Sequence, residues 1–234
     1  MFFPLRDNNP RNTVPVVTIA LIVINCLVFF RRLTFGVDDS SLMIETFALI
    51  PARTVAFFAG EQVTVSQALL PFITSMFLHG GWMHLIGNMW FLWIFGDNIE
   101  DRVGHIRYVL LYLGCGLAGS LAHLVSDSAS TVPTVGASGA IAGVLGAYLI
   151  TYPRAKVLTL LFLFFFITTV EIPAFLFLIG WFALQIFNGM ISLGPEGQLG
   201  GGVAWFAHLG GFLAGVPLML WARSGRPERA PAGV

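Results

Sequence analysis

Apolar residues arrive in six long runs, at roughly 14–33, 82–99, 106–126, 137–152, 172–191 and 203–222, separated by polar or glycine-rich breaks. A helix needs about 20 apolar residues to cross the hydrocarbon core of a bilayer, so each run reads as a span. The first follows a polar stretch, "RDNNPRN". It is too long, and lacks the small-residue cleavage site, to read as a removed signal peptide. The segment "VLTLLFLFFFITTVEIPAFLFLIGWFALQIF" is too long for one crossing and is interrupted by Glu171 and Pro173. Proline suits a first helical turn, so span five is expected to start at Pro173. The stretch 156–171 is then an embedded extended or re-entrant piece, buried against protein rather than lipid. The long loop between spans one and two carries "LMIETFALIPARTVAFF" and "ALLPFITSMFLHGGW", a pattern suited to short helices lying in the membrane interface. The loop 192–202, "SLGPEGQLGGG", is too rich in glycine to hold one rigid shape. No internal repeat is visible, so an inverted-repeat transporter gains no support.

These elements predict an all-α polytopic membrane protein. It is a single six-helix bundle with a long interfacial first loop, divided into a leader (1–13), a core (14–222) and a polar tail (223–234). Composition agrees: 56% of residues are hydrophobic, 10% are charged and mean hydropathy is +0.83, where globular chains carry roughly a quarter charged residues. With a formal net charge of zero, nothing points to nucleic acid. Cys26 and Cys115 lie within apolar runs and make no metal cluster, which would want three or four Cys/His ligands at close spacing. With the N-terminus inside, the inner segments carry Arg6, Arg11, Arg102, Arg107, Arg154, Lys156, Arg223, Arg226 and Arg229, and the outer side Arg31, Arg32 and Arg53. Nine basic residues against three place both termini in the cytoplasm, with the plasma membrane as the expected setting.

Polar side chains inside spans are expensive and need a reason. Span two opens "HGGWMHLIGNMWFLWIFG". His84 and Asn88 are four residues apart and share a helical face, whereas His79 falls out of phase. Span six reads "FAHLGGFLAG", with His208, Gly211 and Gly215 on one face. Span four opens "GASGAIAGVLGAY", in which Gly139, Gly143 and Gly146 form a small-residue stripe bordered by Ser138. Two glycine-faced helices can approach closely and would carry Ser138 and His208 toward each other, with the histidine as general base. The serine also stands at a helix start, where unpaired N–H groups can receive an oxyanion. His84 and Asn88 can add side-chain donors. A carboxylate to orient His208 is not evident, and Asp127 lies at a loop edge, so a Ser–His pair is expected rather than a triad.

Taken together, "GASG", "HGGWMHLIGN" and "AHLGG" resemble the motifs of the rhomboid family of intramembrane serine proteases, in the right order and over nearly all of 14–222. By position, the resemblance implies that Ser138 is the nucleophile and His208 its base. His84, Asn88 and the Ser138 backbone N–H become the oxyanion donors. His79, Gly136, Gly139, Gly211 and Gly215 are structural residues near the site, and Glu100 and Arg102 tie helices together. It further implies hydrolysis of transmembrane segments of other proteins near the outer face of the bilayer, with no cofactor or metal. Two departures stand out: the first loop lacks a Trp-Arg pair common in the family, and Ala142 occupies the place of an aromatic that packs on the histidine. Support for His208 is then expected from Trp181 or Trp205. Pseudoproteases of the family generally lack the serine or histidine that this chain retains, and a channel would need a polar route past Asn88, where span two reads "MWFLWIF".

Overall fold

In the computed structural model the described residues are 2–163, 166–192 and 204–224, with side chains described except at 2, 162–166 and 192. The chain runs β1 (Phe2–Asp7), α1 (Val16–Leu33), α2 (Val37–Phe47), α3 (Pro51–Phe58), α4 (Val65–Leu69), α5 (Pro71–Thr74), a 3-10 turn (Ser75–Phe77), α6 (Trp82–Val103), α7 (His105–Ser126), α8 (Ser138–Thr151), β2 (Lys156–Leu163), β3 (Phe166–Pro173), α9 (Ala174–Ser192) and α10 (Trp205–Arg223). The protein is a mostly helical, multi-pass membrane protein. By length and composition α1, α7, α9 and α10 can each cross a membrane. The segment Val65–Phe77 and α6 pass the same test together, with a bend of 75° between them. With 14 residues, α8 extends only about 21 Å.

The short α8 lies in the core. Every residue of α8 from Gly139 to Tyr148 is buried, because α6, α7, α9 and α10 surround it. Its glycines set the approach. A Cβ on Gly146 would overlap the Phe212 carbonyl, and one on Gly215 the Gly143 carbonyl. Around this crossing pack Leu92, Phe95, Tyr112, Leu145, Leu178 and Met219.

Buried polar groups pin the remaining elements. Glu100, fully buried near the end of α6, accepts hydrogen bonds from Val17 N (2.8 Å), Thr18 N (2.7 Å) and Thr18 Oγ1 (2.7 Å). The carboxylate thereby satisfies first-turn N–H groups of α1 at the positive end of its dipole. Gly104, at φ +79°, turns the chain sharply from α6 into α7.

The sequence reading of 156–171 is corrected here. Its extended alternative is the one observed, but as a hairpin of β2 and β3 rather than a re-entrant piece. Only one face is covered by protein: Val157 and Thr159 are fully buried while Ile167 is 68% exposed. Residues 2–7, read as part of a polar leader, form β1 and complete an antiparallel sheet of order β1-β2-β3. Pro4 sits next to a register shift on this outer strand, where its missing N–H costs least. Trp90 Nε1–H donates to the Pro4 carbonyl at 2.7 Å, and Tyr148 Oη–H donates to Asp7 at 2.5 Å, so the sheet docks on α6 and α8. Pro173 ends β3, and α9 starts one residue later. The glycine-rich loop 192–202 lies almost wholly outside the described residues, as does most of the tail.

Candidate active site

The segment before α8 is held from several sides before Ser138 is reached. Leu49 and Thr134 exchange backbone hydrogen bonds of 3.0 and 2.8 Å, and Gly136 N–H donates to the Ser75 carbonyl at 2.9 Å. The long first loop, folded into α2–α5 and the 3-10 turn, therefore braces the turn that opens α8. Thr134 Oγ1 pairs with His123 Nε2 at 2.8 Å, which fixes the same segment to the end of α7. Gly136 has φ +129°. A Cβ there would sit 2.6 Å from His84 Nε2, so glycine is what lets that side chain approach the turn.

Ser138 is the first residue of α8, so the N–H groups of its turn have no intrahelical partners. On α10, three residues before Gly211, stands His208. Its Nε2 lies 2.8 Å from Ser138 Oγ, within reach for proton transfer between a nucleophile and its base. The contact is set by glycine: a Cβ on Gly211 would overlap the Gly139 carbonyl oxygen. A Cβ on Gly139 would in turn sit 3.4 Å from the Ala207 carbonyl oxygen. Ser138, His208, Gly139, Gly211 and Gly215 thus lie along one crossing of α8 and α10.

His84 and Asn88, on the first turns of α6, line the same cleft of about 1060 Å³ as Ser138 and His208. Asn88 Nδ2–H donates to His79 Nε2 at 2.9 Å, and the His79 and His84 rings meet edge-to-face at 5.2 Å. His79, 1% exposed, packs against both side chains.

Sequence reasoning left one residue out. Gln185, on α9, places Oε1 2.7 Å from His208 Nδ1. Trp181 and Trp205 also flank the His208 ring, each with centroids 6.0 Å away, in the places expected for its support. Asp127 lines the cleft, but the Nδ1 position is taken by the amide. The available signal was a glutamine inside a largely apolar span, which it shares with Asn188, since a polar side chain there needs a partner.

Comparison with known proteins points to one family. The Rhomboid domain family matches residues 66–224, from α4 to the end of α10. The chain is 36% identical to Rhomboid protease GluP of Bacillus subtilis over 140 residues, covering 59% of this chain and 25% of that protein. It is 31% identical to Presenilin-associated rhomboid-like protein, mitochondrial, of Mus musculus over 195 residues, covering 80% and 47%. With RHOMBOID-like protein 5 of Arabidopsis thaliana it shares 44% identity over 77 residues, covering 33% and 25%. The chain therefore spans less than half the length of each of these relatives.

Proposed function

The chain belongs to the rhomboid family, and from that premise we propose that it is an intramembrane serine endopeptidase acting on transmembrane segments of other proteins. The observation that carries the reading is the 2.8 Å approach of Ser138 Oγ to His208 Nε2 at a helix start beside His84 and Asn88. In the proposed reaction Ser138 Oγ attacks the scissile carbonyl while His208 Nε2 takes its proton. The carbonyl oxygen, now negative, is received by the Ser138 N–H and the His84 and Asn88 side chains. His208 hands the proton to the leaving amine as the C–N bond breaks. Water, deprotonated in turn by His208, then cleaves the acyl ester and restores Ser138.

The substrate segment must unwind, because a helical backbone hides its carbonyls in its own hydrogen bonds. Segments weakened by Gly or Pro, with a small residue before the cut, are therefore preferred. Under this reading the bundle crosses the plasma membrane six times, α8 completing the count inside a protein shell. Both termini lie in the cytoplasm, in keeping with the distribution of basic residues, and the cleft opens toward the outer face.

The test is covalent labelling of the detergent-purified protein with a fluorophosphonate probe. The wild type should label, and both Ser138→Ala and His208→Ala should not. Equal labelling of Ser138→Ala would remove Ser138 as nucleophile. An unlabelled wild type after lipid reconstitution would leave a helix-binding pseudoprotease as the account.

A further inference from the structure

Gln185 belongs to the inward stripe of α9. Ala174, Leu178, Trp181 and Gln185 recur at helical spacing, and Gln185 is 5% exposed while its neighbours Leu184 and Ile186 are 53% and 40% exposed. A carboxamide in apolar surroundings is costly unless its polar atoms are bonded, and here its oxygen meets His208 Nδ1 at 2.7 Å. A carboxamide oxygen only accepts, so the proton of a neutral His208 sits on Nδ1. That leaves the Nε2 lone pair facing Ser138 Oγ–H at 2.8 Å, the tautomer a general base requires. The alternative tautomer would set an N–H against the serine and could not take its proton. Trp181 and Trp205 border the ring, but indole N–H groups are donors only and cannot select this form. Ala142, a methyl group four residues after Ser138, cannot stack on the imidazole either.

We propose that Gln185 is a positioning residue of this site, holding His208 in the Nδ1–H tautomer and fixing its ring plane through Nδ1–H···Oε1. The inference rests on the serine-protease reading and extends the Ser138–His208 pair to Ser138–His208–Gln185. A neutral acceptor suits this location. With its oxygen toward the ring it favours the tautomer that the carboxylate of a hydrolytic triad favours, and it places no unpaired charge in an apolar helix.

Two measurements on the full chain test it, for the wild type, Gln185→Leu and Gln185→Glu. The first is the nitrogen NMR spectrum of histidine-labelled protein at neutral pH, with His208 assigned by its loss in His208→Ala. The second is the rate of fluorophosphonate labelling. The wild type should carry its proton on Nδ1 of His208. Gln185→Leu should lose that preference and label about 10- to 100-fold more slowly, the range set by one unmade buried hydrogen bond. Gln185→Glu, which keeps an acceptor oxygen at the same reach in either protonation state, should restore both. A wild-type His208 protonated on Nε2 overturns the proposal, as does a folded Gln185→Leu that labels at the wild-type rate. Should Gln185→Leu fail to fold, the wild-type tautomer decides the proposal, and loss of the Nδ1 proton in Gln185→Glu overturns it. A wild type that never labels refutes the protease reading instead, while the tautomer spectrum still reports on Gln185.

Discussion

Replacing Gly211 with alanine tests whether the glycine crossing sets the distance between Ser138 and His208. A Cβ at Gly211 would overlap the Gly139 carbonyl oxygen and lie 2.8 Å from the carbonyl carbon and 3.3 Å from Gly139 Cα. Unstrained carbon contacts fall at about 3.5–4.0 Å, so α8 and α10 must part by roughly 1 Å at this level. Gly139 directly follows Ser138, and Gly211 lies less than one turn beyond His208, so little of that shift can be absorbed before it reaches the pair. The Ser138–His208 separation, now 2.8 Å, then exceeds hydrogen-bond length, which ends near about 3.2 Å. A misplacement of about 1 Å costs on the order of 100-fold in rate, and overpacking of this kind costs about 1–3 kcal/mol of stability. Labelling kinetics with a fluorophosphonate, read beside the thermal midpoint, separate the two effects. Gly180→Ala is the control, since a Cβ there meets nothing within 4 Å; it should label normally and be no less stable. A folded Gly211→Ala that labels as fast as the wild type would refute the reasoning.

Asn88→Ala should lower kcat on a cleavable transmembrane substrate by about 100- to 1000-fold, the usual loss for one oxyanion donor. Turnover within threefold of wild type would remove Asn88 from that role. Asp7 supplies a pH dependence at the opposite end of the bundle. Burial raises its carboxyl from the usual 3.8 to about 6, with the Tyr148 hydrogen bond opposing and the neighbouring Asp97 adding to the rise. The folded state thus holds this proton more tightly than the unfolded chain. The contribution is whole below about pH 4 and is lost as pH rises through about 6, an amount of up to about 3 kcal/mol. The wild-type thermal midpoint should therefore fall relative to that of Asp7→Asn between pH 4 and 7, and a constant gap would contradict the assignment.

The legible parts of this fold are those governed by local periodicity and close packing. The helical regions follow from apolar run length, and the approach of Ser138 to His208 from the stripes of Gly139 and Gly211, because a missing Cβ is itself a sequence feature. The sheet was not legible. Phe2–Asp7 contains Pro4 and no alternation, and becomes a strand only by pairing with Lys156–Leu163 far along the chain. The Gln185 contact was hidden for a related reason. Its polarity announced a need for a partner, but which partner depends on how α9 is rotated against α10, and no pattern within either helix fixes that angle. Glu100 lay between these cases, since its role in joining helices was expected from the family while the N–H groups it satisfies on α1 were not.

In a bilayer, lipid tails are as apolar as leucine, so helices gain little from the hydrophobic effect by associating. Close glycine contacts and paired polar groups must then fix which elements meet and in what register. Several buried polar contacts here cross from one element to another: Glu100 joins α6 to α1, His123 joins α7 to the turn before α8, Asn88 joins α6 to the first loop, and Gln185 joins α9 to α10. The candidate site is built from these pins rather than added to a finished scaffold, so most substitutions in it disturb chemistry and assembly together. Ser138 is the exception. Its hydroxyl meets a histidine already held by Gln185, so Ser138→Ala removes the proposed nucleophile and leaves that pin in place. His208→Ala instead leaves a buried carboxamide oxygen without its donor. The serine variant is therefore the cleaner test of activity, and a loss of labelling there speaks to chemistry alone.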